Sequence, residues 1–309
     1  MIGASERLSD PFEDRFDVDV AGGTLHVARA GPPPERAESV VLAVHGVTAS
    51  LMTWRTVARE LPARARATLL APDLRGRGRS ATLPGPYGIA THVTDLLAVL
   101  DHVGARRAVL VGHSLGAYVV ARLAAEHPER AAGLVLLDAG LPLPPPDDPE
   151  DVMRTAVGQT VMRLGITFPS VHAYVEAWRS HPAFAHAWNE DIEQYARYDL
   201  VKNGNAVRCV ASRDAVRTDS AEMVLDDVTR TALDRVPAQD RVHLLRAERG
   251  LFDDRDDPLI SADELRAFAA GHPAAHVDAV AGVNHYTLVM GDSPGPHKVA
   301  AAIQDACSR

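Results

Sequence analysis

Val109-Leu110-Val111-Gly112-His113-Ser114-Leu115-Gly116-Ala117-Tyr118 is an apolar run that stops at a glycine, turns about one serine and continues as an amphipathic pattern through Glu126. A turn from strand to helix this tight brings the residues two before and two after the serine together. Gly112 and Gly116 are therefore the residues that fit there, and Ala117 keeps the next contact small. The GxSxG string alone is short enough to arise by chance. Its placement between a buried strand and a helix makes Ser114 a candidate nucleophile rather than a serine that only caps the helix.

Working outward, the flanks alternate between strand and helix patterns. Upstream, Phe16 to Val20 and Leu25 to Ala30 read as a hairpin across Gly22-Gly23, followed by the continuous apolar run Val40 to Val44 and a further strand, Thr68 to Ala71. An amphipathic helix over Ile89 to Val103 and a strand over Ala108 to Val111 lead into the serine turn. Downstream come the helix Leu115 to Glu126 and a strand ending Leu134 to Leu137. This is the rhythm of an α/β fold with a mostly parallel central sheet flanked by helices. Prolines 142, 144, 145, 146 and 149 then break the rhythm, and helical spacing without a convincing strand runs to about Val236. Strand and helix resume with Val242 to Ala247, Ala262 to Ala270, His276 to Val280 and Lys298 to Ala306. Residues 1–140 and 237–309 are thus expected to form one core, and 141–236 an inserted helical cap over the substrate.

A serine hydroxyl needs a base to take its proton at neutral pH. Of the 14 histidines, His285 is the one that follows the last expected strand, in Val280-Ala281-Gly282-Val283-Asn284-His285-Tyr286. Loops at the carboxyl ends of parallel strands share one edge of a sheet, so His285 can meet Ser114. An oxyanion formed on attack needs two N–H donors. The Leu115 amide supplies one. The loop His45-Gly46-Val47-Thr48-Ala49-Ser50, after the Val40–Val44 run, offers the Val47 amide as the other, with His45 holding the loop.

With these residues in place the chain resembles the α/β-hydrolase superfamily from about Phe16 onward, with a serine esterase or lactonase type of site and a helical cap. Five motifs match in order: the His45-Gly46 loop with Trp54, Asp73-Leu74-Arg75-Gly76-Arg77-Gly78-Arg79-Ser80, the serine turn, the insertion, and Asn284-His285. The resemblance implies that the Asp73–Ser80 loop is structural. It also implies an acid partner for His285 in a Gly-x-x-Asp pattern after the strand Val242–Ala247, where this chain has Gly250 instead. Three carboxylates can replace it. They are Asp138 at the end of the preceding core strand, a position that some relatives use, then Asp253 beyond Gly250-Leu251-Phe252, and then Glu248.

Serine rather than aspartate at the turn disfavours haloalkane and epoxide chemistry, which needs a carboxylate nucleophile. Cleavage of a carboxylic ester or lactone is the expected reaction, with C–C hydrolysis and cofactor-free perhydrolysis as alternatives on the same fold and a ligand receptor with a vestigial triad as the competing class. Aromatic residues are concentrated in the insertion, and Trp178, Trp188 and Tyr195 are the expected lining of a site for a hydrophobic substrate, although such a stripe also packs a cap onto its core.

A hydrophobic content of 46% over 309 residues suffices for a large core. The net charge of −9, without a long basic stripe, argues against nucleic acid as a partner. Apolar runs are too short for membrane insertion, and Met1 to Asp19 lacks the apolar centre of a secretory signal, so a cytoplasmic location is expected. Cys209 and Cys307 have no metal-like or CxxC spacing, and no dinucleotide fingerprint is present, so neither metal nor cofactor is expected. A homo-oligomer is compatible with this reading. Abundant alanine and only two lysines, Lys202 and Lys298, suggest a GC-rich bacterial genome.

Overall fold

A computed structural model describes residues 9–61, 66–152, 154, 164–237 and 241–308. The start of the Met1–Asp19 stretch, part of the expected cap and residues 238–240, just past its downstream boundary, lie outside them. Strands are numbered along the chain. The main sheet has the order β1 (Asp14–Val20), β2 (Gly23–Ala30), β4 (Ala67–Pro72), β3 (Ser39–Val44), β5 (Ala108–His113), β6 (Ala131–Leu137), β10 (Val242–Arg249) and β11 (His276–Asn284). β1 and β2 form the expected hairpin, and β2 runs antiparallel to β4. From β4 to β11 every neighbouring pair is parallel.

Helices cover both faces, which is why the central strands read as continuous apolar runs rather than alternating ones. Along β3, Val41 and Ala43 pack on one side with the helices Arg55–Glu60 and Pro294–Cys307. Leu42 and Val44 pack on the other with Ile89–His102, Leu115–Glu126 and Ala262–Gly271. Trp54 and Leu42 are fully buried; each side chain of this size contributes about 1.5–3 kcal/mol by leaving water.

The topology fixes where a site can form. The chain steps from β3 outward to β4, then returns to the other side of β3 for β5. The loops leaving β3 and β5 therefore part in opposite directions, and the crevice between them at the carboxyl edge is where open α/β sheets bind ligands. Val44 registers against Gly112, so the His45–Ser50 loop and the serine turn emerge side by side.

Between β6 and β10 the described residues include the helices Val171–Arg179, Glu190–Tyr198 and Arg213–Leu225. Each begins at an N-cap whose side chain accepts a backbone N–H: Ser170, Asn189 and Ser212. Contrary to the all-helical expectation, this segment also holds a small antiparallel sheet, ordered β7 (Thr167–Phe168), β9 (Ala206–Cys209), β8 (Leu200–Asn203). Its strands are two to four residues long, too short for a period of two to show in the sequence. Buried ion pairs tie the segment to the core: Asp191 accepts from Arg55 Nε at 2.9 Å and Arg59 Nη2 at 2.8 Å.

Candidate active site

Ser114 closes the turn between β5 and the helix Leu115–Glu126 with φ 57° and ψ −125°, a conformation L residues rarely adopt. The glycines on either side are required by distance. A Cβ on Gly112 would stand 2.3 Å from the Gly116 carbonyl oxygen, and one on Gly116 would stand 2.1 Å from that of Val44. Leu115 is the first residue of its helix. The first N–H groups of a helix have no partner within it, which leaves this amide available beside Ser114.

β6, next to β5, ends in a second strained residue, Asp138, with φ 52°. Its carboxylate is fully buried and held from two sides. Oδ1 accepts the Ala247 N–H at 2.9 Å, and Oδ2 lies 2.8 Å from His285 Nδ1. Of the three carboxylates weighed from the sequence, Asp138 is the one placed against His285. Asp253 instead accepts Asn284 Nδ2 at 3.0 Å and Arg249 Nη1 at 2.8 Å. Glu248 is half-buried, and its Oε2 accepts the Gly282 N–H at 2.8 Å. Gly250 has a steric explanation, because a Cβ there would lie 1.9 Å from the Asp257 carbonyl oxygen. The loop after β10 folds too closely on itself to carry an acid at that position.

His285 follows β11 and is nearly buried. Its placement depends on His113, to which sequence reasoning gave no role, and on Asn284, which it quoted only as part of the Asn284-His285 motif. His113 packs at a tilt against the His285 ring, centroids 4.4 Å apart and planes 34° from parallel, and its Nε2 lies 2.9 Å from the His285 carbonyl oxygen. Burial, reinforced by the neighbouring His285, pushes the His113 pKa well below the usual range, so the ring is neutral and donates this bond from Nε2. Asn284 shapes the turn: Oδ1 accepts the N–H groups of Tyr286 and Thr287, each at 3.0 Å, and Nδ2 donates to Ala183 in the insertion at 2.9 Å. An asparagine at a strand end, ahead of a histidine, was the available signal.

The loop after β3 is held by charged groups from the Asp73–Ser80 segment. His45 is fully buried, and burial drives its pKa down to about 3. Its neutral ring accepts the Leu74 N–H at Nε2, 3.0 Å away, and donates from Nδ1 to the Gly46 carbonyl at 2.8 Å. Asp73 accepts the Leu51 and Arg79 N–H groups, each at 2.8 Å, and the Tyr198 hydroxyl at 2.6 Å. Arg77 donates from Nε to the Val47 carbonyl at 2.9 Å and pairs through Nη1 with Asp219, both side chains being fully buried. Burial alone would raise the Asp219 pKa, but His92 and Arg77 outweigh it and hold it at about 2. The insertion, through Asp219, thus reaches the backbone of Val47.

Two cavities adjoin these residues. One, of about 450 Å³, is lined by Ser114 and Asp138 together with Leu141, Met223, Ile260 and Phe268. The other, of about 320 Å³, lies among Thr48, Phe168, Tyr174, Trp178 and Tyr286. Of the aromatic residues expected to line a pocket, Trp178 faces this second cavity. Tyr195 is buried edge-on behind Trp178 at 5.4 Å, and Trp188 lies under the Arg179 guanidinium at 4.8 Å. The structure brings Ser114, Asp138 and His285 to one edge of the sheet and keeps Trp188 and Tyr195 in the packing behind Trp178.

Comparison with known proteins gives the same frame. A family model described as "alpha/beta hydrolase fold" matches residues 39–176. The chain is 43% identical to lipase LipV of Mycobacterium tuberculosis over 120 residues, 38% of this chain and 43% of that protein. It is 39% identical to epoxide hydrolase B of the same organism over 122 residues, 38% of this chain and 33% of that protein. The chain therefore spans well under half the length of these curated relatives. Over nearly its whole length it is similar to the crystal structure of an E-2-(acetamidomethylene)succinate hydrolase, with a TM-score of 0.69, 21% identity and coverage of 96% of this chain and 99% of the other.

Proposed function

We propose, from the premise that this chain is a member of the α/β-hydrolase superfamily, that it cleaves carboxylic esters or lactones of hydrophobic substrates through an acyl intermediate on Ser114. The observation that carries the proposal is the buried Asp138 carboxylate, 2.8 Å from His285 Nδ1, at the edge of the sheet where Ser114 sits in its strained turn.

The chemistry runs as follows. His285 Nε2 takes the Ser114 hydroxyl proton as Oγ bonds to the substrate carbonyl carbon. Asp138 holds the Nδ1 proton and stabilises the imidazolium that forms. The carbonyl π electrons move to oxygen, and the amides of Leu115 and Val47 stabilise the oxyanion. Collapse expels the alkoxide, which takes the proton from His285, and leaves acyl-Ser114. Water then adds to the acyl carbon with its proton going to His285, and a second collapse returns that proton to Ser114 and releases the acid.

Similarity to an epoxide hydrolase does not redirect the reading, because opening an epoxide through a covalent alkyl ester needs a carboxylate nucleophile and this turn presents a hydroxyl. The apolar lining of the cavity that Ser114 shares with Leu141, Met223 and Phe268, and the aromatic lining around Trp178, support a bulky hydrophobic substrate. The segment 141–236 would act as its cap, positioned by Asp191 and Asp219. A panel of p-nitrophenyl esters and lactones tests this reading: aryl and long-chain esters should be turned over with higher kcat/KM than acetate. Preference for acetate over every bulky substrate would refute the hydrophobic-substrate part of the proposal.

A further inference from the structure

At the opposite end of the sheet, three side chains from three elements converge. His243 lies near the start of β10, His276 begins β11, and Asp305 belongs to the helix Pro294–Cys307. β10 and β11 are parallel, and His243 registers directly against His276, so both imidazoles leave the same face of the sheet. Their ring centroids are 4.6 Å apart and their planes differ by 15°. His243 Nε2 lies 3.5 Å from Asp305 Oδ2. One ligand atom from each of the three residues falls within 4.8 Å of the others. His276 and His285 are the two ends of the last strand and its loop, separated by roughly 25–30 Å at ~3.3 Å per strand residue. The cluster is therefore remote from Ser114.

We propose that His243, His276 and Asp305 bind a divalent transition-metal ion of the Zn²⁺ type. Two imidazole nitrogens and one carboxylate oxygen suit borderline metals; Mg²⁺ and Ca²⁺ prefer all-oxygen sites. At metal–ligand bonds of about 2.0–2.1 Å, tetrahedral ligands stand about 3.3 Å apart. The His243–Asp305 pair is already near that separation. His276 must tilt its ring out of the stack to complete the set. It is exposed, so its ring has solvent to rotate into, at the cost of the stack on His243. His243 is buried and fixed in the strand, while exposed His276 and Asp305 give the ion a path in and leave room for water as a fourth ligand. A bound ion would pin the closing helix to two strands of the sheet and stabilise the fold by mass action.

Titration of chelator-stripped, untagged protein with zinc chloride in a calorimeter tests the site, alongside His276→Ala and Asp305→Asn. Both residues are exposed, so the variants retain the fold. Wild type should bind one equivalent of zinc, and each substitution should weaken that site roughly tenfold or more. Zinc should also raise the wild-type Tm, and raise that of His276→Ala by less at the same zinc concentration. Equal affinity in all three proteins would place zinc on other histidines, and no saturable binding would mean no site. Either result overturns the proposal. Binding is read directly, so the answer is independent of what Ser114 does.

Discussion

At Ser114 and Asp138 two adjacent strands end in backbone conformations that cost energy, φ 57° and φ 52°. Both side chains are turned to one edge of the sheet by that strain. Asp138 uses both carboxylate oxygens, one on the Ala247 amide and one on His285. Asp138→Asn keeps the size and the burial but presents an amide to Nδ1, which favours the wrong imidazole tautomer. Its kcat should fall by roughly 10³- to 10⁴-fold while thermal unfolding changes little; Asp253→Asn, which disturbs only Asn284 and Arg249, should keep most of its activity. Steady-state kinetics on an aryl ester checks both. His113 bears on the same ring through its tilted ring contact and its bond to the His285 carbonyl. His113→Ala should lower kcat more than it raises KM. The candidate nucleophile and the candidate histidine could be picked out of the sequence because each has a local signature, a glycine-bounded turn and a post-strand Asn-His. The acid could not be resolved at that level. Three carboxylates follow core strands, and the choice rests on how tightly the loop after β10 closes on Gly250, a distance that no local pattern encodes.

Core elements were readable because burial on both faces produces apolar runs in the strands and one-sided burial produces amphipathic spacing in the helices. The helix Leu115–Glu126 and the strand after Pro prolines and insertion, Val242–Arg249, begin where the pattern begins. What escaped was the small sheet β7-β9-β8, whose strands of two to four residues span at most two periods of alternation, and the long-range link from the insertion to the loop after β3. Arg77 and Asp219 are far apart in the chain, and only folding reveals that they share a buried pair aimed at the Val47 carbonyl. Arg77→Lys keeps a positive charge but loses the planar fork that serves Val47 and Asp219 together. We expect kcat to fall by roughly 10- to 100-fold with KM largely kept, since a misplaced oxyanion donor acts on the transition state. Asp219→Asn should in addition cost about 3–5 kcal/mol of stability, measured by urea unfolding, because it leaves Arg77 buried without its counter-charge.

For the whole molecule, the buried polar groups set the response to acid. His45 is neutral in the fold with its pKa at about 3, against 6.5 for an ordinary histidine. Between those values the unfolded chain binds the proton that the folded chain refuses. Stability from this group is complete above pH 6.5 and is lost as pH falls toward 3. Asp219 adds a second loss, between its ordinary 3.8 and about 2, where the folded carboxylate resists a proton that the unfolded one takes up. Urea midpoints should therefore decline from about pH 6.5 and more steeply below 3.8, with His45→Gln flattening the upper part of that slope. Among the described residues no helix is long and apolar enough to cross a membrane. The three-layer core and the insertion meet where Ser114, Asp138 and His285 converge, and the account depends on the first of these being a nucleophile. Reaction with a fluorophosphonate followed by peptide mass spectrometry tests that directly. The account predicts one stoichiometric adduct on the Ser114 peptide, lost in Ser114→Ala and slowed in Asp138→Asn. Undiminished labelling of Ser114→Ala at another residue, or an unreactive wild type, would contradict it.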